Sequence, residues 1–90
     1  MLNSKIINSL DEKLKSAFYG VTLWNASLTY ADFLVLVPNY DDASETIRTI
    51  VEHWMFENKE NLEGHSYTIQ TGETLISYIK QYYIRVEKKD

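Results

Sequence analysis

The stretch Phe33-Leu34-Val35-Leu36-Val37, followed by Pro38, is apolar at every position and guides the interpretation of the whole chain. A strand whose side chains do not alternate in polarity is covered on both faces or lies at the centre of a sheet. Pro38 ends the segment because its nitrogen cannot donate a hydrogen bond to a neighbouring strand. The sequence therefore predicts a central strand over residues 33–37.

The residues before this strand predict a helix and another strand. Apolar side chains recur at helical spacing from about Ser4 to Phe18, and Asn3 can cap that helix, as can Ser4 itself. From about Val21 to Leu28, apolar and aromatic side chains alternate with a second set that includes polar ones, which is typical of a half-buried strand. Residues 29–32 then form a turn, so we expect the two strands to pair antiparallel.

The residues after the central strand predict a helix, a short strand and a final helix. Asp42 and Glu45 have the spacing of a capping box at the start of the second helix. Residues 65–70 form a predicted short strand, and Thr71 can cap a last helix that begins at Gly72. The apolar face of that last helix comprises Leu75, Ile76, Ile79, Tyr82, Tyr83 and Val86.

These elements make one α+β domain over residues 1–90, in the order α-β-β-α-β-α. We expect a small sandwich in which helices pack on a three-stranded, mostly antiparallel sheet. The second helix carries the chain to the third strand beside the first two, by a right-handed crossover if that strand runs parallel to the second. A sheet of three strands leaves edges, which a protein must block or use.

The composition disfavours several classes of function. Nine basic and thirteen acidic residues give a net charge of −4, and the basic residues are scattered, which disfavours nucleic-acid binding. The absence of cysteine rules out disulfides and thiolate zinc sites. The longest apolar run, residues 33–38, is far shorter than the roughly 20 residues that cross a membrane. We expect a cytoplasmic protein that uses no membrane segment and no cofactor.

The chain offers few groups for catalysis. His53 and Glu57 stand four residues apart on the second predicted helix, but two ligands alone do not hold a metal ion. His65 opens a strand and could titrate near neutral pH, although a single surface histidine rarely carries chemistry. The sequence has no serine elbow and no glycine-rich phosphate loop. It therefore favours a non-enzymatic protein without a metal site.

The aromatic residues are the unusual part of the composition: seven Tyr, three Phe and two Trp. Trp24, Phe33 and Trp54 fit core positions in the predicted elements. Tyr and Trp are enriched where a surface meets a partner, because one end of the side chain is apolar and the other polar. The aromatic side chains that we assign to partner binding are Tyr40, Phe56, Tyr78 and Tyr82, of which Tyr82 also contributes to the core.

We therefore expect a small acidic protein that binds another protein and acts as an inhibitor or regulator, of a kind that bacteria, phages or mobile elements encode. A homodimer formed through a sheet edge or through the last helix is the simplest version. One alternative is an acidic mimic of nucleic acid, in which one surface carries Asp41, Asp42, Glu45, Glu52, Glu57, Glu60 and Glu63. A second alternative is a ligand-binding module or small enzyme that uses His53 or His65.

Overall fold

The computed structural model describes residues 2–38, 42–74 and 78–89, with the backbone alone at residues 73 and 74. Within these residues lie two helices and four strands. In chain order they are α1 (Ser4–Ala17), β1 (Gly20–Ala26), β2 (Tyr30–Pro38), α2 (Ser44–Glu57), β3 (His65–Thr74) and β4 (Ile79–Lys88). The strands form one antiparallel sheet, so the predicted α+β class is confirmed.

The strands lie in the order β1-β2-β4-β3, which places β2 and β4 at the centre. The predicted central strand over residues 33–37 is confirmed, as is the antiparallel pairing of the first two strands. The predicted position of the third strand is wrong, because β4 lies between β2 and β3. Each half of the chain supplies a helix followed by two strands, and the halves meet where β2 pairs with β4.

The predicted last helix is wrong, because its second half is the strand β4. Tyr82, Ile84 and Val86 are buried, whereas Tyr83 and Arg85 between them are exposed. This alternation with a period of two, in a run of aromatic and β-branched side chains, is typical of a strand. The same apolar residues fit a helical stripe only when the alternation is ignored. The predicted order α-β-β-α-β-α is therefore corrected to α-β-β-α-β-β for the described residues, and the predicted three-stranded sheet to one of four strands.

The predicted turn at residues 29–32 is too long, because β2 begins at Tyr30. The hydroxyl of Ser27 accepts hydrogen bonds from the backbone N–H groups of Thr29 and Tyr30, at 3.2 and 3.1 Å. The N–H of Ser27 also donates to the carbonyl of Tyr30 at 2.8 Å. These bonds close a tight turn, so that Asp32 becomes part of the sheet.

The two predicted helices that begin near residues 4 and 42 are confirmed, although the second one starts differently. The side-chain oxygen of Asn3 accepts the N–H of Ile6 at 3.0 Å and caps α1, as the sequence predicts. The capping box of Asp42 and Glu45 is wrong, since α2 begins without a side-chain cap. Asp42 lies one residue before the N-cap position, and its side chain accepts the N–H of Ser44 at 3.0 Å.

β3 is longer than the predicted strand and extends to Thr74. The first part of the predicted last helix, from Gly72 to Thr74, therefore belongs to this strand. Leu75 and Ile76, which the predicted helix also included, lie outside the described residues.

The core lies between the helices and one face of the sheet. Its largest fully buried side chains include Trp54, Tyr82, Phe33, Leu2, Leu10, Leu14 and Ile47. The indole N–H of Trp54 donates to the carbonyl of Ile6 at 3.0 Å and so joins α2 to α1. The predicted core positions of Phe33 and Trp54 are confirmed, and large buried rings of this kind dominate the hydrophobic stabilisation of a small domain.

Candidate functional site

The two helices cover one face of the sheet and leave the other open. In β4, Tyr82, Ile84 and Val86 face the helices, so Tyr83 and Arg85 point away from them, because neighbouring side chains of a strand project to opposite faces. We call the side that faces away from the helices the open face. The backbone positions from which its side chains project are fixed, because they lie on paired strands.

A row of four polar side chains crosses the open face. Asn25, Asp32, Arg85 and Thr68 stand opposite one another on β1, β2, β4 and β3. Arg85 donates from Nε to Oδ1 of Asp32 at 2.7 Å and from Nη2 to Oδ2 at 2.9 Å. The side-chain amide of Asn25 donates to the same Oδ2 at 3.4 Å. The centre of the row is therefore a bidentate ion pair.

The two members of this ion pair differ in exposure. The side chain of Asp32 is 9% exposed and that of Arg85 is 47% exposed. The hydrogen bonds from Arg85 lower the pKa of Asp32, against the opposing effect of burial. The carboxylate in turn raises the pKa of Arg85. Both groups are therefore charged at neutral pH.

Neighbouring side chains enclose the guanidinium of Arg85. The ring of Tyr30 lies 4.9 Å from its central carbon, a distance at which a cation interacts with an aromatic face. Oε2 of Glu87 lies 4.0 Å from Nη1. Together with Asp32, these residues contact part of the guanidinium, while about half of the arginine side chain stays exposed.

Two aromatic rings border the polar row. Trp24 is 58% exposed and Tyr83 is 38% exposed. Together with the polar row and Gln70, these rings line a shallow groove of about 480 Å³. Leu34, opposite Tyr83 on β2, is half-buried and adds apolar surface. Trp, Tyr and Arg, three of the residue types that line this groove, are enriched in protein–protein interfaces.

The predicted core position of Trp24 is wrong. The register places Leu23 opposite Phe33, so Leu23 faces the helices and Trp24 faces the open side. The pairing then shifts by one residue between Leu23 and Asn25, which brings Asn25 to the open face as well. Trp24 therefore stands at an irregularity of the edge strand.

The predicted partner-binding aromatic residues lie elsewhere. Tyr82 has no exposed surface, and its hydroxyl accepts the N–H of Ala43 at 2.9 Å. Its assignment to a binding surface is therefore corrected to a core position that supports the start of α2. Phe56 and Tyr78 are largely exposed, Phe56 at the end of α2 and Tyr78 just before β4. Tyr40 lies outside the described residues.

The described acidic candidates on α2 each have a partner within the chain. Glu45 pairs with Arg48, Glu52 accepts the hydroxyl of Tyr67 at 3.1 Å, and Glu57 pairs with Lys13 at 3.0 Å. Asp42 accepts the backbone N–H described above, and Asp41 lies outside the described residues. These carboxylates belong to the helical side of the molecule and do not line the groove.

The two histidines do not meet at a common site. Nδ1 of His53 lies 3.7 Å from Oε1 of Glu57, and Nδ1 of His65 lies 3.2 Å from the carbonyl oxygen of Glu63. Among the residues that the structure describes, no three His, Asp or Glu side chains are placed to hold a metal ion. Neither α1 nor α2 is long and apolar enough to span a membrane.

The sequence did not identify the two residues at the centre of the site. Asp32 falls in the predicted turn, and Arg85 falls on the flank of the predicted last helix. The alternation Ile84-Arg85-Val86-Glu87 is a signal that could have placed Arg85 on the polar face of a strand. The pairing of Arg85 with Asp32 has no local signal, because it depends on the register between β2 and β4.

Comparisons with protein-family models, with curated proteins and with solved structures gave no match to this chain. The open face is therefore interpreted from its own geometry and chemistry.

Proposed function

We propose that this chain is a small acidic binding protein, which covers part of another protein with its open face and so acts as an inhibitor or regulator. The observation that carries the proposal is the exposure of Trp24, at 58%, beside the Asp32–Arg85 ion pair. Tryptophan is among the side chains whose burial contributes most to protein interfaces. A protein gains nothing in stability by exposing such a ring, so its exposure favours a binding role.

The ion pair makes the surrounding surface suitable for burial. Covering an unpaired charge is costly, because the group loses its water without gaining a partner. Asp32 and Arg85 already satisfy each other through two hydrogen bonds. A partner can therefore cover this part of the sheet without leaving an isolated charge, while Trp24 and Tyr83 enter its surface.

The two alternative functions have less support. A mimic of nucleic acid needs free carboxylates at regular spacing, whereas Glu45, Glu52 and Glu57 are each engaged by another side chain of this protein. An enzyme that used His53 or His65 would place an imidazole in a cleft. Neither histidine lines the groove on the open face.

Within this proposal the protein acts in the cytoplasm, and a bacterium, phage or mobile element encodes it near the gene for its target. A chain without cysteine has no disulfide to form and therefore does not require an oxidising compartment. Fractionation of the cells that express it would test the location. Recovery of the protein from the envelope or the medium alone would contradict this part of the proposal.

The test of the binding role is quantitative capture of a partner from the cells that encode the protein. Tagged wild type is compared with Trp24→Ala and Tyr83→Ala on the open face, and with Phe56→Ala on α2. We expect the two open-face variants to recover at least about tenfold less partner than wild type, since interface anchors contribute about 1.4 kcal/mol or more each. The Phe56→Ala variant should recover as much as wild type.

The three positions make a matched set, because each substitution truncates an exposed aromatic ring. Far-ultraviolet circular dichroism and the urea midpoint of each variant show whether the fold is intact. Loss of the partner with Phe56→Ala, together with normal capture by the two open-face variants, would contradict the proposal and return the site to the end of α2.

A further inference from the structure

The free edge of β3 is a feature of the sheet that the proposed binding role does not use. β3 pairs with β4 along its whole length and has no other strand beside it in the described part of the chain. The N–H of Lys89 donates to the carbonyl of Gly64 at 2.8 Å, just beyond the first pair of this ladder. Antiparallel pairs alternate in whether they exchange hydrogen bonds. The N–H and C=O groups of Tyr67, Ile69 and Thr71 therefore point outward, away from β4.

The hydrogen bond of His65 agrees with this alternation. Its N–H points away from β4 and donates to the carbonyl of Leu62 at 3.0 Å. The outward groups in the middle of β3 are thus those of Tyr67, Ile69 and Thr71, flanked by the outward carbonyl of His65 on one side and the outward backbone groups of Glu73 on the other. They are evenly spaced and centred on Ile69.

The opposite edge of the sheet is built differently. β1 has seven residues, and its pairing shifts between Leu23 and Asn25. A shift of this kind bends an edge strand and disfavours the addition of another strand. β3 has ten residues and pairs with β4 in one unbroken register. Such a regular edge is a ready template for strand pairing.

We propose that β3 pairs antiparallel with β3 of a second copy of this chain, with Ile69 of each copy on the two-fold axis. Tyr67 of one copy then lies opposite Thr71 of the other, and each of the outward N–H groups meets an outward carbonyl. A two-fold interface requires that a surface be complementary to itself. The outward groups meet this requirement because they are symmetric about Ile69.

The side chains of β3 favour a second copy over an unrelated strand. Residues 66–72 carry no charged side chain, so self-pairing brings no like charges opposite each other. On the helical side, Ile69, which already packs against the core, meets Ile69 of the other copy. On the open face, Thr68 lies opposite Gln70 of the other copy.

This pairing would join the two open faces into one surface. Thr68 and Gln70 both line the groove that contains Trp24 and Arg85. Because they stand on the strand at the axis, the grooves of the two copies become neighbours. A dimer of this kind would present the proposed binding surface twice in a fixed orientation, which strengthens binding to a partner with repeated sites.

The test is the oligomeric state of the full chain, measured by size exclusion with light scattering from about 1 to 300 micromolar. We expect wild type to reach twice the mass of the 10.6 kDa chain within this range. In the double variant Thr68→Lys, Gln70→Lys, each introduced lysine faces a lysine of the other copy. Its dimer dissociation constant should rise at least about tenfold.

The matched double variant Thr68→Lys, Gln70→Glu places opposite charges across the same axis, and we expect it to dimerise at least as well as wild type. Both positions are exposed, and both variants carry the same lysine beside Arg85, so that lysine cannot explain a difference between them. A third variant, Thr71→Pro, removes an outward N–H without removing a bond to β4, and it should weaken the dimer.

Three outcomes would overturn the inference. The first is a wild-type chain that stays monomeric throughout the range. The second is a dimer whose dissociation constant does not change in the double variant Thr68→Lys, Gln70→Lys. The third is a dimer that Trp24→Ala abolishes while Thr71→Pro has no effect, since this would place the second copy on the open face. None of these measurements needs the partner protein, so the inference can fail while the proposed binding role holds.

Discussion

Asp32 and Arg85 are 53 residues apart in the chain, yet they face each other across the two central strands and share two hydrogen bonds of 2.7 and 2.9 Å. The carboxylate is almost fully covered, whereas about half of the arginine side chain is in contact with water. The two groups therefore depend on each other unequally. Asp32 needs Arg85 to compensate for its burial, while Arg85 can be hydrated without Asp32.

This inequality predicts different costs for removing each partner. Arg85→Met leaves a buried carboxylate with only the weak hydrogen bond from Asn25, and it should lower the free energy of unfolding by roughly 1–3 kcal/mol at pH 7. Asp32→Asn leaves a guanidinium that water can reach, and it should cost less than about 1 kcal/mol. Urea unfolding of the two variants measures both values. Equal costs would contradict the unequal burial on which the prediction rests.

The same ion pair predicts an acid-dependent stability. Because the pKa of Asp32 is lower in the folded protein than its ordinary value, the unfolded chain binds more protons as the pH falls. The contribution of Asp32 is therefore fully present above its ordinary pKa of about 3.9 and is lost as the pH falls through the lowered value. We expect the stability difference between wild type and Asp32→Asn to shrink over this range, as measured by urea unfolding at a series of pH values.

In the Arg85→Met variant, the carboxyl group of Asp32 should respond to pH in the opposite way from wild type, so that acidification stabilises the folded protein through Asp32 instead of removing a stabilising contribution. Without the guanidinium, burial raises the pKa of Asp32, so the carboxyl group takes up a proton more readily in the folded protein. The stability deficit of this variant should then become smaller as the pH falls. A deficit that grows on acidification would show that Asp32 is not desolvated in the way that its exposure indicates. Glu57→Gln is a control for a lost ion pair at an exposed carboxylate, since Lys13 also lowers the pKa of Glu57. Because Glu57 is far more exposed than Asp32, this substitution should change stability less at every pH.

The first part of the fold could be predicted because its signals are local. Residues 4–18 repeat their apolar side chains at helical spacing, and residues 33–37 are apolar without interruption. The segment after Gly72 is assigned wrongly because Tyr82 and Val86 also fit a helical stripe, although the alternation of residues 82–87 is a local signal for a strand. What no local pattern shows is that this strand pairs with β2, some fifty residues earlier in the chain.

The site was harder to predict than the fold for the same reason. Trp24 is apolar and lies in a strand, and these two facts alone favour a core position. Only the register with β2 shows that Leu23 takes the core side and that Trp24 faces outward. The prediction for Tyr82 is wrong in the opposite direction: it places a buried side chain at the surface. The burial of Tyr82 depends on its pairing with Val35 in the middle of the sheet.

Tyr82 provides a further prediction, which separates a structural role from a binding role. Tyr82→Phe removes the hydroxyl that accepts the N–H of Ala43 and leaves that buried donor without this partner. We expect a loss of roughly 1–3 kcal/mol in the free energy of unfolding, and no change in partner capture beyond the effect of stability. Tyr83→Phe is the matched control. The hydroxyl of Tyr83 donates to Oε1 of Gln81 in a solvent-exposed hydrogen bond, so its loss should change stability by less than about 0.5 kcal/mol.

Two glycines on the edge strands provide the last prediction, in which the same substitution has opposite effects. A Cβ at Gly20 would lie 2.8 Å from Cβ of Leu36 and 3.1 Å from its carbonyl oxygen, so Gly20→Ala forces β1 and β2 apart. We expect it to cost roughly 1–3 kcal/mol, as overpacking does in well-packed interiors.

At Gly72 the nearest atom to such a Cβ is a side-chain oxygen of Gln81 at 4.0 Å, and the backbone does not need a glycine. Gly72→Ala should therefore stabilise the protein by about 0.4–1 kcal/mol, because it restricts the unfolded chain without straining the folded one. Thermal and urea unfolding of the two variants provide the comparison. A destabilised Gly72→Ala variant beside a neutral Gly20→Ala variant would contradict the close contact between Gly20 of β1 and Leu36 of β2.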